Sequence, residues 1–226
     1  SDKGLYRDGG GSDHYSIHAN FYPTAVGLVS KEKQKSVADY LRTKPLNCNV
    51  YGAQFFWDAL YIMDEGDKAM ELLLSKDTRS YYNMIHVMKS TTAAETWDKL
   101  NLTRSHPWGS AGGNLIVGSV MGIHAIEPAF AKIGVKPQTA DLKYAQVDFM
   151  SVRGNIHVYF KNENNEYLLN IETPANSSLK VFVPVFDNPS DDVLVNGKKQ
   201  KGKREGEYLV FDNQGSGSHT YIKKTQ

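Results

Sequence analysis

The first part of the chain has the spacing of apolar residues that is typical of amphipathic helices. As far as about Gly134, apolar side chains recur three or four positions apart, and Ser30 is a candidate N-cap before one of these stretches. Short intervals separate the stretches, which predicts helices arranged as antiparallel hairpins. The positions that mark the predicted helices are Phe21, Ala25 and Leu28; Val37, Tyr40 and Leu41; Phe56, Leu60 and Met63; Met70, Leu73 and Leu74; Tyr82, Ile85 and Met88; and the apolar run from Leu115 to Ile126.

Beyond Gly134 the apolar residues alternate with polar ones, as they do in half-buried β-strands. The alternating positions are Ile156, Val158 and Phe160; Tyr167, Leu169 and Ile171; and Leu179, Val181 and Val183. The pairs Asn164-Asn165 and Asn196-Gly197 separate such runs and predict hairpin turns. We therefore predict an α+β protein of two domains, helical over residues 1–134 and an antiparallel β-sandwich over residues 135–226.

The composition indicates a globular protein whose partner is uncharged. The 226 residues are 40% hydrophobic, and 26 lysines and arginines nearly balance 25 aspartates and glutamates, for a net charge of +1. This balance gives no field that would attract nucleic acid or an anionic membrane surface, so we expect neither partner. No apolar run approaches the roughly 20 residues of a membrane span. The basic run from Lys198 to Arg204 follows a turn and is predicted to be a solvated loop.

The sequence predicts neither a metal nor another cofactor. Its single cysteine, Cys48, excludes an internal disulfide and a multi-cysteine zinc cluster. No Gly-x-Gly-x-x-Gly before a helix, no phosphate-binding Gly-Lys-Ser/Thr and no His-Glu-x-x-His is present. The cysteine content leaves the compartment undecided, and we favour the periplasm or the extracellular space over the cytoplasm.

The densest group of polar and aromatic residues in the helical part lies between Ser90 and Ala111, as is common for loops that carry function. Glu95 stands among small residues near Trp97, so its carboxylate could project beside an aromatic wall and activate a water molecule. The alternative is a surface or capping glutamate. His106 precedes Pro107, which favours a loop leading into a helix. A purely structural histidine is the alternative there.

Four short segments, in this order, carry a resemblance to a known family: His18-Ala-Asn-Phe-Tyr-Pro, Asn49-Val-Tyr-Gly-Ala-Gln, Ser90-Thr-Thr-Ala-Ala-Glu-Thr-Trp and Ser105-His-Pro-Trp-Gly-Ser-Ala. They resemble the α-L-rhamnosidases of glycoside hydrolase family 78. Later segments are similar to the family's passage from its catalytic barrel to a C-terminal sandwich: Gly122-Ile, Glu127-Pro-Ala-Phe, Ile133-Gly-Val-Lys-Pro-Gln and Pro174-Ala-Asn-Ser-Ser. The resemblance covers nearly the whole chain, and an ordered set is more specific than any single motif.

The resemblance implies that residues 1–134 are the C-terminal half of an (α/α)6 six-hairpin barrel that hydrolyses terminal α-L-rhamnose with inversion. Glu95 matches the general base of the family, and His106 matches a histidine of the sugar-binding subsite. Trp108 and Trp97 are candidates for the walls of that subsite, with packing under the loop as the alternative for Trp108. His18 and Tyr51 are candidates for lining the cleft, with a purely structural role as the alternative. The implied partner is a rhamnose-containing glycan or glycoside.

The chain also departs from the family pattern. No part of it matches the acidic loop that carries the general acid, and only about six helices are predicted where a closed (α/α)6 barrel needs about twelve. We expect the chain to begin mid-barrel and to have negligible rhamnosidase activity alone. A second chain, or self-association, is expected to cover the open half barrel.

Two other functions remain open at this point. One is a non-catalytic carbohydrate-binding or scaffold protein, in which the same residues hold a sugar without cleaving it. The other is a six-hairpin glycosidase that acts on a different sugar, since a fold alone does not determine the substrate.

Overall fold

The computed structural model of the chain describes residues 3–98, 103 and 105–226. These residues form two compact units, Ser1–Leu115 and Ile116–Gln226. The division comes earlier than the predicted boundary at Gly134, because the strands Ile123–Ala125 (β1) and Lys132–Val135 (β2) belong to a sheet of the second unit. No described helix is long and apolar enough to cross a membrane.

The first unit is helical, and its elements follow the predicted apolar stretches. A π-helical segment, Asn83–Val87, stands where the periodicity of Tyr82, Ile85 and Met88 predicts a helix. A short 3-10 helix, Pro107–Ser110, leads directly into the last α-helix. The α-helices of the described residues are Ile17–Ala25 (α1), Lys31–Arg42 (α2), Val50–Ile62 (α3), Gly66–Leu73 (α4) and Ala111–Leu115 (α5).

Helix α3 lies at the centre of the helical core. Its N-cap Asn49 accepts a hydrogen bond from the backbone N–H of Gly52 at 2.7 Å, which fixes where the helix begins. Phe56 of α3 is fully buried and stacks on Phe21 of α1, with ring centroids 5.6 Å apart. The predicted N-cap Ser30 does precede α2.

The last predicted helix, Leu115 to Ile126, is wrong beyond Val120. A π-helical turn over Ile116–Val120 follows α5, and the chain then enters β1. Gly122 has a φ of +74°, and a Cβ at this position would lie 2.1 Å from the backbone of Lys136. A side chain does not fit in so close an approach, so the helical run ends and the chain turns into the sheet.

The second unit consists of two sheets. The first has the strand order β1-β2-β6-β10-β9 and the second β3-β4-β5-β11-β7-β8. Every pairing is antiparallel except that of β2 with β6, which is parallel. The remaining strands are Tyr144–Ser151 (β3), Gly154–Glu163 (β4), Glu166–Thr173 (β5), Ser178–Pro184 (β6), Asp192–Val195 (β7), Lys198–Lys201 (β8), Lys203–Glu205 (β9), Tyr208–Gln214 (β10) and Gly217–Lys224 (β11).

The predicted alternation of apolar residues forms the core of this unit. Val158 of β4, Leu169 of β5 and Val181 of β6 are fully buried in a cluster to which both sheets contribute. Asn164 and Asn165, which join β4 to β5, have positive φ values of 55° and 60°, as a tight hairpin requires. The α+β class and the β-sandwich are confirmed.

The basic run is not the predicted solvated loop. Lys198–Lys201 forms strand β8 at the edge of one sheet, and Lys203–Glu205 forms strand β9 at the edge of the other. All four side chains of β8 are exposed. Exposed lysines on an edge strand discourage pairing with another chain. This accounts for the lysines of β8, although lysine is otherwise uncommon in β-strands.

Candidate functional site

Glu95 and His106 lie on two backbone segments that are hydrogen-bonded to each other. The N–H of Glu95 donates to the carbonyl oxygen of Thr103 at 3.1 Å, and the N–H of His106 donates to the carbonyl oxygen of Ala93 at 2.8 Å. These two bonds hold the predicted base and the predicted sugar-binding histidine in one paired loop. The sequence predicted the two residues separately, and the structure brings them together.

Trp108 connects the two segments through its side chain. Its indole Nε1–H donates to the carbonyl oxygen of Glu95 at 3.3 Å. The same indole stacks on the imidazole of His106, with ring centroids 4.0 Å apart and an interplanar angle of 26°. One side chain therefore holds both the backbone of Glu95 and the ring plane of His106.

The imidazole of His106 accepts a hydrogen bond from the main chain. Its Nδ1 accepts a hydrogen bond from the main-chain N–H of Trp108 at 3.4 Å, as part of the cap of the following 3-10 helix. In a neutral imidazole the nitrogen that accepts is unprotonated and the other carries the proton. With Nδ1 as the acceptor, a neutral His106 carries its proton on Nε2.

Glu95 carries the carboxylate of the predicted general base. The residue is half-buried, and no ion pair within residues 3–98, 103 and 105–226 involves it. A general base needs a carboxylate that can accept a proton from water.

Aromatic rings extend from Trp108 along helices α3 and α1. The ring of Tyr51 lies 5.2 Å from that of Trp108 and 5.2 Å from that of Phe55. Phe55 in turn lies 5.2 Å from Tyr22. Tyr51 is 44% exposed, so part of its ring remains open to a ligand. We refer to Trp108, Tyr51, Phe55 and Tyr22 as the aromatic wall.

Trp97 is held inside the helical unit rather than on its surface. It is 8% exposed, and its Nε1–H donates to the carbonyl oxygen of Cys48 at 2.9 Å. The carbonyl oxygen of Trp97 accepts from Nδ2 of Asn83 at 2.9 Å. These bonds position the segment that carries Glu95, and little of the indole can contact a ligand.

His18 is not part of the stack formed by His106 and Trp108, and it lines the same cleft as Trp97. It is exposed at the start of α1, and its ring centroid is 6.2 Å from that of Tyr22. His18 and Trp97 both line a cleft of about 410 Å³. The predicted residues thus form two groups: Glu95, His106, Trp108 and Tyr51 around the paired loop, and His18 and Trp97 at the cleft.

Sequence reasoning missed Tyr81 and Gly109, which stabilise the segment that follows His106. The hydroxyl of Tyr81 donates to the carbonyl oxygen of Gly109 at 3.0 Å and accepts from the N–H of Gly112 at 2.9 Å. A Cβ on Gly109 would lie 2.4 Å from the carbonyl oxygen of Ala94. The glycine of the segment Trp108-Gly109 was the available signal, since it marks a close approach of two backbones.

Within the described part of the chain, histidine, cysteine, aspartate and glutamate side chains nowhere form a group of three or more that could hold an ion. Burial raises the pKa of the Cys48 thiol to about 12, which keeps it protonated and unreactive.

Comparison with protein families accounts for both units. A model of the bacterial alpha-L-rhamnosidase 6 hairpin glycosidase domain matches residues 2–116. The chain belongs to the bacterial α-L-rhamnosidase family. A second model, of the bacterial alpha-L-rhamnosidase C-terminal domain, matches residues 122–199. The first matched range ends and the second begins close to the boundary between the two structural units. No curated protein matches the sequence.

Solved α-L-rhamnosidases share this fold. The enzyme from Dictyoglumus thermophilum superposes with a TM-score of 0.84 at 22% identity, over 97% of this chain and 26% of its own. The enzyme from Streptomyces avermitilis, crystallised with L-rhamnose, gives 0.78 at 22% identity, over 92% of this chain and 22% of its own. The enzyme from Aspergillus terreus gives 0.74 at 20% identity, over 98% and 25%. The chain therefore spans about a quarter of the length of these relatives.

Proposed function

We propose that this chain contributes the water-activating side of an inverting α-L-rhamnosidase active site, with Glu95 as the general base. The observation that carries the proposal is the unit formed by Glu95, Trp108 and His106, in which one indole binds the base-bearing segment and stacks on the imidazole. Membership of the α-L-rhamnosidase family supports the substrate class.

In the proposed reaction, the Glu95 carboxylate takes a proton from water as the water oxygen attacks the anomeric carbon. The attack comes from the face opposite the leaving oxygen, so the configuration inverts. A water fits between base and sugar when the two catalytic carboxyl groups are roughly 6.5–9.5 Å apart. The second carboxyl group, the general acid, protonates the leaving oxygen, and no segment of this chain resembles the family's acid-bearing loop.

His106 and the aromatic wall are the proposed contacts to rhamnose. Nε2–H of His106 donates to a ring hydroxyl. Trp108 and Tyr51 pack against the apolar face and the methyl group of the deoxysugar, where burial of apolar surface adds to affinity. A streptomycete member of the family has been crystallised with L-rhamnose, which is consistent with this choice of ligand.

The role of Glu95 is tested with 2,4-dinitrophenyl α-L-rhamnoside, because its leaving group departs without a general acid. We expect slow hydrolysis by the chain, a large loss in Glu95→Gln, and no change in the control Glu127→Gln, whose side chain is exposed in the second unit. Azide added to Glu95→Gly is expected to replace the activated water and yield the β-configured rhamnosyl azide. Equal rates for the two glutamine variants would overturn the assignment.

We propose further that another polypeptide segment covers part of the helical unit. Val26, Leu28 and Ile62 have exposed fractions of 61%, 73% and 55%. Gly27, which stands between the first two, lines the same cavity as Ile62, so the three lie in one region of the surface, and apolar residues grouped on a surface usually meet a partner. The favoured occupant is the remainder of a six-hairpin domain, since solved relatives are about four times as long, and a second copy is the alternative. A stable monomer in sedimentation at micromolar concentration would contradict self-association.

A non-catalytic carbohydrate-binding role is the second candidate, favoured by the lack of a match to the acid-bearing loop. It predicts sugar binding without turnover of the dinitrophenyl substrate. The same assay therefore separates the two candidates.

A further inference from the structure

The described strands of the second unit leave four sheet edges, and these differ in how they can meet another chain. Strands β1 and β9, at the edges of the first sheet, have three residues each, and β8, at one edge of the second sheet, has four, of which three are lysines. Short or charged edge strands discourage pairing with another chain. Strand β3, at the other edge of the second sheet, has eight residues and neither lysine nor proline among them.

Strand β3 presents a regular row of main-chain donors and acceptors. It pairs with β4 in an unbroken register, which the bond from the N–H of Asn162 to the carbonyl oxygen of Lys143 at 2.7 Å continues by one pair. Hydrogen-bonded and non-hydrogen-bonded pairs alternate in an antiparallel ladder, so every second residue after Lys143 bonds to β4 and the residues between direct their N–H and C=O groups away from it. The residues whose main-chain groups face away are Tyr144, Gln146, Asp148 and Met150.

The side chains along this edge are mostly apolar. Tyr144 is 65% exposed and Met150 is 74% exposed, and Gln146 and Asp148 lie exposed between them on the same face. The apolar residues of the opposite face are half-buried and pack at the margin of the sandwich core; they are Ala145, Val147 and Phe149. A strand added at this edge would therefore bury apolar surface on both faces of the sheet.

The sequence of β3 is complementary to itself when two copies run antiparallel. If a two-fold axis passes between the Val147 residues of the two copies, Tyr144 lies opposite Met150, and Gln146 lies opposite Asp148. The apolar side chains then meet each other, and the amide of Gln146 can donate to the carboxylate of Asp148. An axis at Asp148 would instead place two carboxylates opposite each other, which is unfavourable.

We propose that β3 is a self-association edge, at which a second copy of this chain pairs antiparallel with the axis at Val147 and the two six-stranded sheets become continuous. This inference goes beyond the proposed function and does not depend on it. One pair of strands forms a small interface, so the dissociation constant of the dimer is expected in the micromolar range.

Val147→Cys tests the register directly. The introduced cysteine lies opposite its own copy in a non-hydrogen-bonded pair, where the Cα atoms are about 4.5 Å apart, within the span of a disulfide. Mild oxidation is expected to produce a cross-linked dimer on a non-reducing gel. Ala145→Cys is the matched control, because the two introduced cysteines are offset by four residues, about 13 Å along the strands. The native Cys48 is buried and common to both variants.

A pair of substitutions at Gln146 tests the same register by charge. Gln146→Asp places carboxylates opposite each other twice in the dimer, and we expect the dissociation constant to rise about fivefold. Gln146→Lys places an ammonium opposite Asp148 and is expected to lower it about fivefold. Gln200→Asp, the same change on the exposed strand β8, is expected to have no effect. Sedimentation equilibrium across the micromolar range measures all four proteins, including the parent.

The outcomes decide for or against the edge. A parent chain that stays monomeric across this range, together with no cross-link in Val147→Cys, overturns the proposal. A dimer that neither responds to Gln146→Asp nor cross-links through Val147→Cys forms through another surface, such as the helical unit, and also overturns it. Equal cross-linking of Val147→Cys and Ala145→Cys, or weaker association in Gln146→Lys, contradicts the register. Selective cross-linking at position 147 with opposite effects of the two charges supports it.

Discussion

The indole Nε1–H of Trp108 donates a hydrogen bond to the main-chain carbonyl oxygen of Glu95 at 3.3 Å. This bond joins the residue that resembles the family's general base to the start of the 3-10 helix that follows His106. The position of the Glu95 backbone therefore depends on a side chain that also stacks on the imidazole.

Trp108→Phe separates these two contributions of the indole. Phenylalanine retains an aromatic face for His106 but has no N–H, so the carbonyl oxygen of Glu95 loses its partner. We expect the free energy of unfolding of the helical unit to fall by about 1 kcal/mol, the net value of one hydrogen bond. Fluorescence of Trp57 and Trp97 during thermal unfolding measures this unit. A larger loss in Trp108→Ala than in Trp108→Phe is also expected, since alanine removes the stacking.

Gly109→Ala tests the close approach beneath the paired loop. The added Cβ would lie 2.4 Å from the carbonyl oxygen of Ala94, so the loop must shift. We expect a loss of about 1–3 kcal/mol in the free energy of unfolding, as in other overpacked sites. Gly113→Ala is the matched control, because no atom lies within 4 Å of a Cβ built there. Helix propensity predicts that the control is neutral or slightly stabilising. Equal losses in the two variants would show that the contact at Ala94 is unimportant.

The raised pKa of Asp58 predicts that the free energy of unfolding depends on pH. Burial raises the pKa of its carboxyl group from the ordinary value of 3.8 to about 6, and a hydrogen bond with Gln54 opposes the shift. Between these values the folded chain holds a proton that the unfolded chain releases, so the free energy of unfolding falls as pH rises through this window.

Asp58→Asn removes the ionisation that produces this dependence. We expect the variant to be more stable than the parent near pH 7, by up to about 2 kcal/mol after allowance for solvent screening, and nearly equal to it near pH 4. Thermal unfolding followed by tryptophan fluorescence at several pH values measures the difference. Asp39→Asn, at an exposed ion pair with Lys35, is expected to change stability by less than about 0.5 kcal/mol. A constant difference across pH would rule out the ionisation of Asp58 as the cause.

The order of elements could be predicted from periodicity where one pattern dominates. Phe56 and Leu60 of α3, and Val158 and Phe160 of β4, are buried as their spacing indicates. The same reasoning failed after Val120, because Gly122 meets the backbone of Lys136, a contact that is remote in the sequence. Periodicity carries no information about such contacts.

In the candidate site, too, contacts between residues remote in the sequence could not be predicted from periodicity. The resemblance singled out Glu95 and His106, and the structure adds the backbone bonds that join their segments. Trp97 was a candidate wall residue, but it is 8% exposed and its indole Nε1–H is bonded to the carbonyl oxygen of Cys48. Arg79 and Asn47, which line the same cleft as Trp97, belong to no quoted motif. They reach the cleft only through the folding of distant segments, so their place in it could not be predicted from the sequence.

Leaving-group chemistry predicts the activity of the chain alone. On the proposal that the general acid lies outside this chain, hydrolysis of methyl α-L-rhamnoside is expected to be slower than for a complete family enzyme by at least about 10²–10⁴-fold, the usual contribution of general acid catalysis. The deficit should shrink for 2,4-dinitrophenyl α-L-rhamnoside, whose leaving group needs no proton. Measuring both rates at several pH values checks this. Turnover of the methyl glycoside at the rate of a complete enzyme would mean that this chain contains an acid that the sequence comparison missed.

The central claim is that Glu95 and His106 belong to one L-rhamnose site, and a two-dimensional ¹H–¹⁵N NMR titration tests it most directly. Adding L-rhamnose is predicted to shift the backbone amide signals of Glu95 and His106 and the indole Nε1–H signal of Trp108 along one common binding curve, while D-glucose shifts none of them. Shifts confined to other residues, or separate binding curves for Glu95 and His106, would contradict the account.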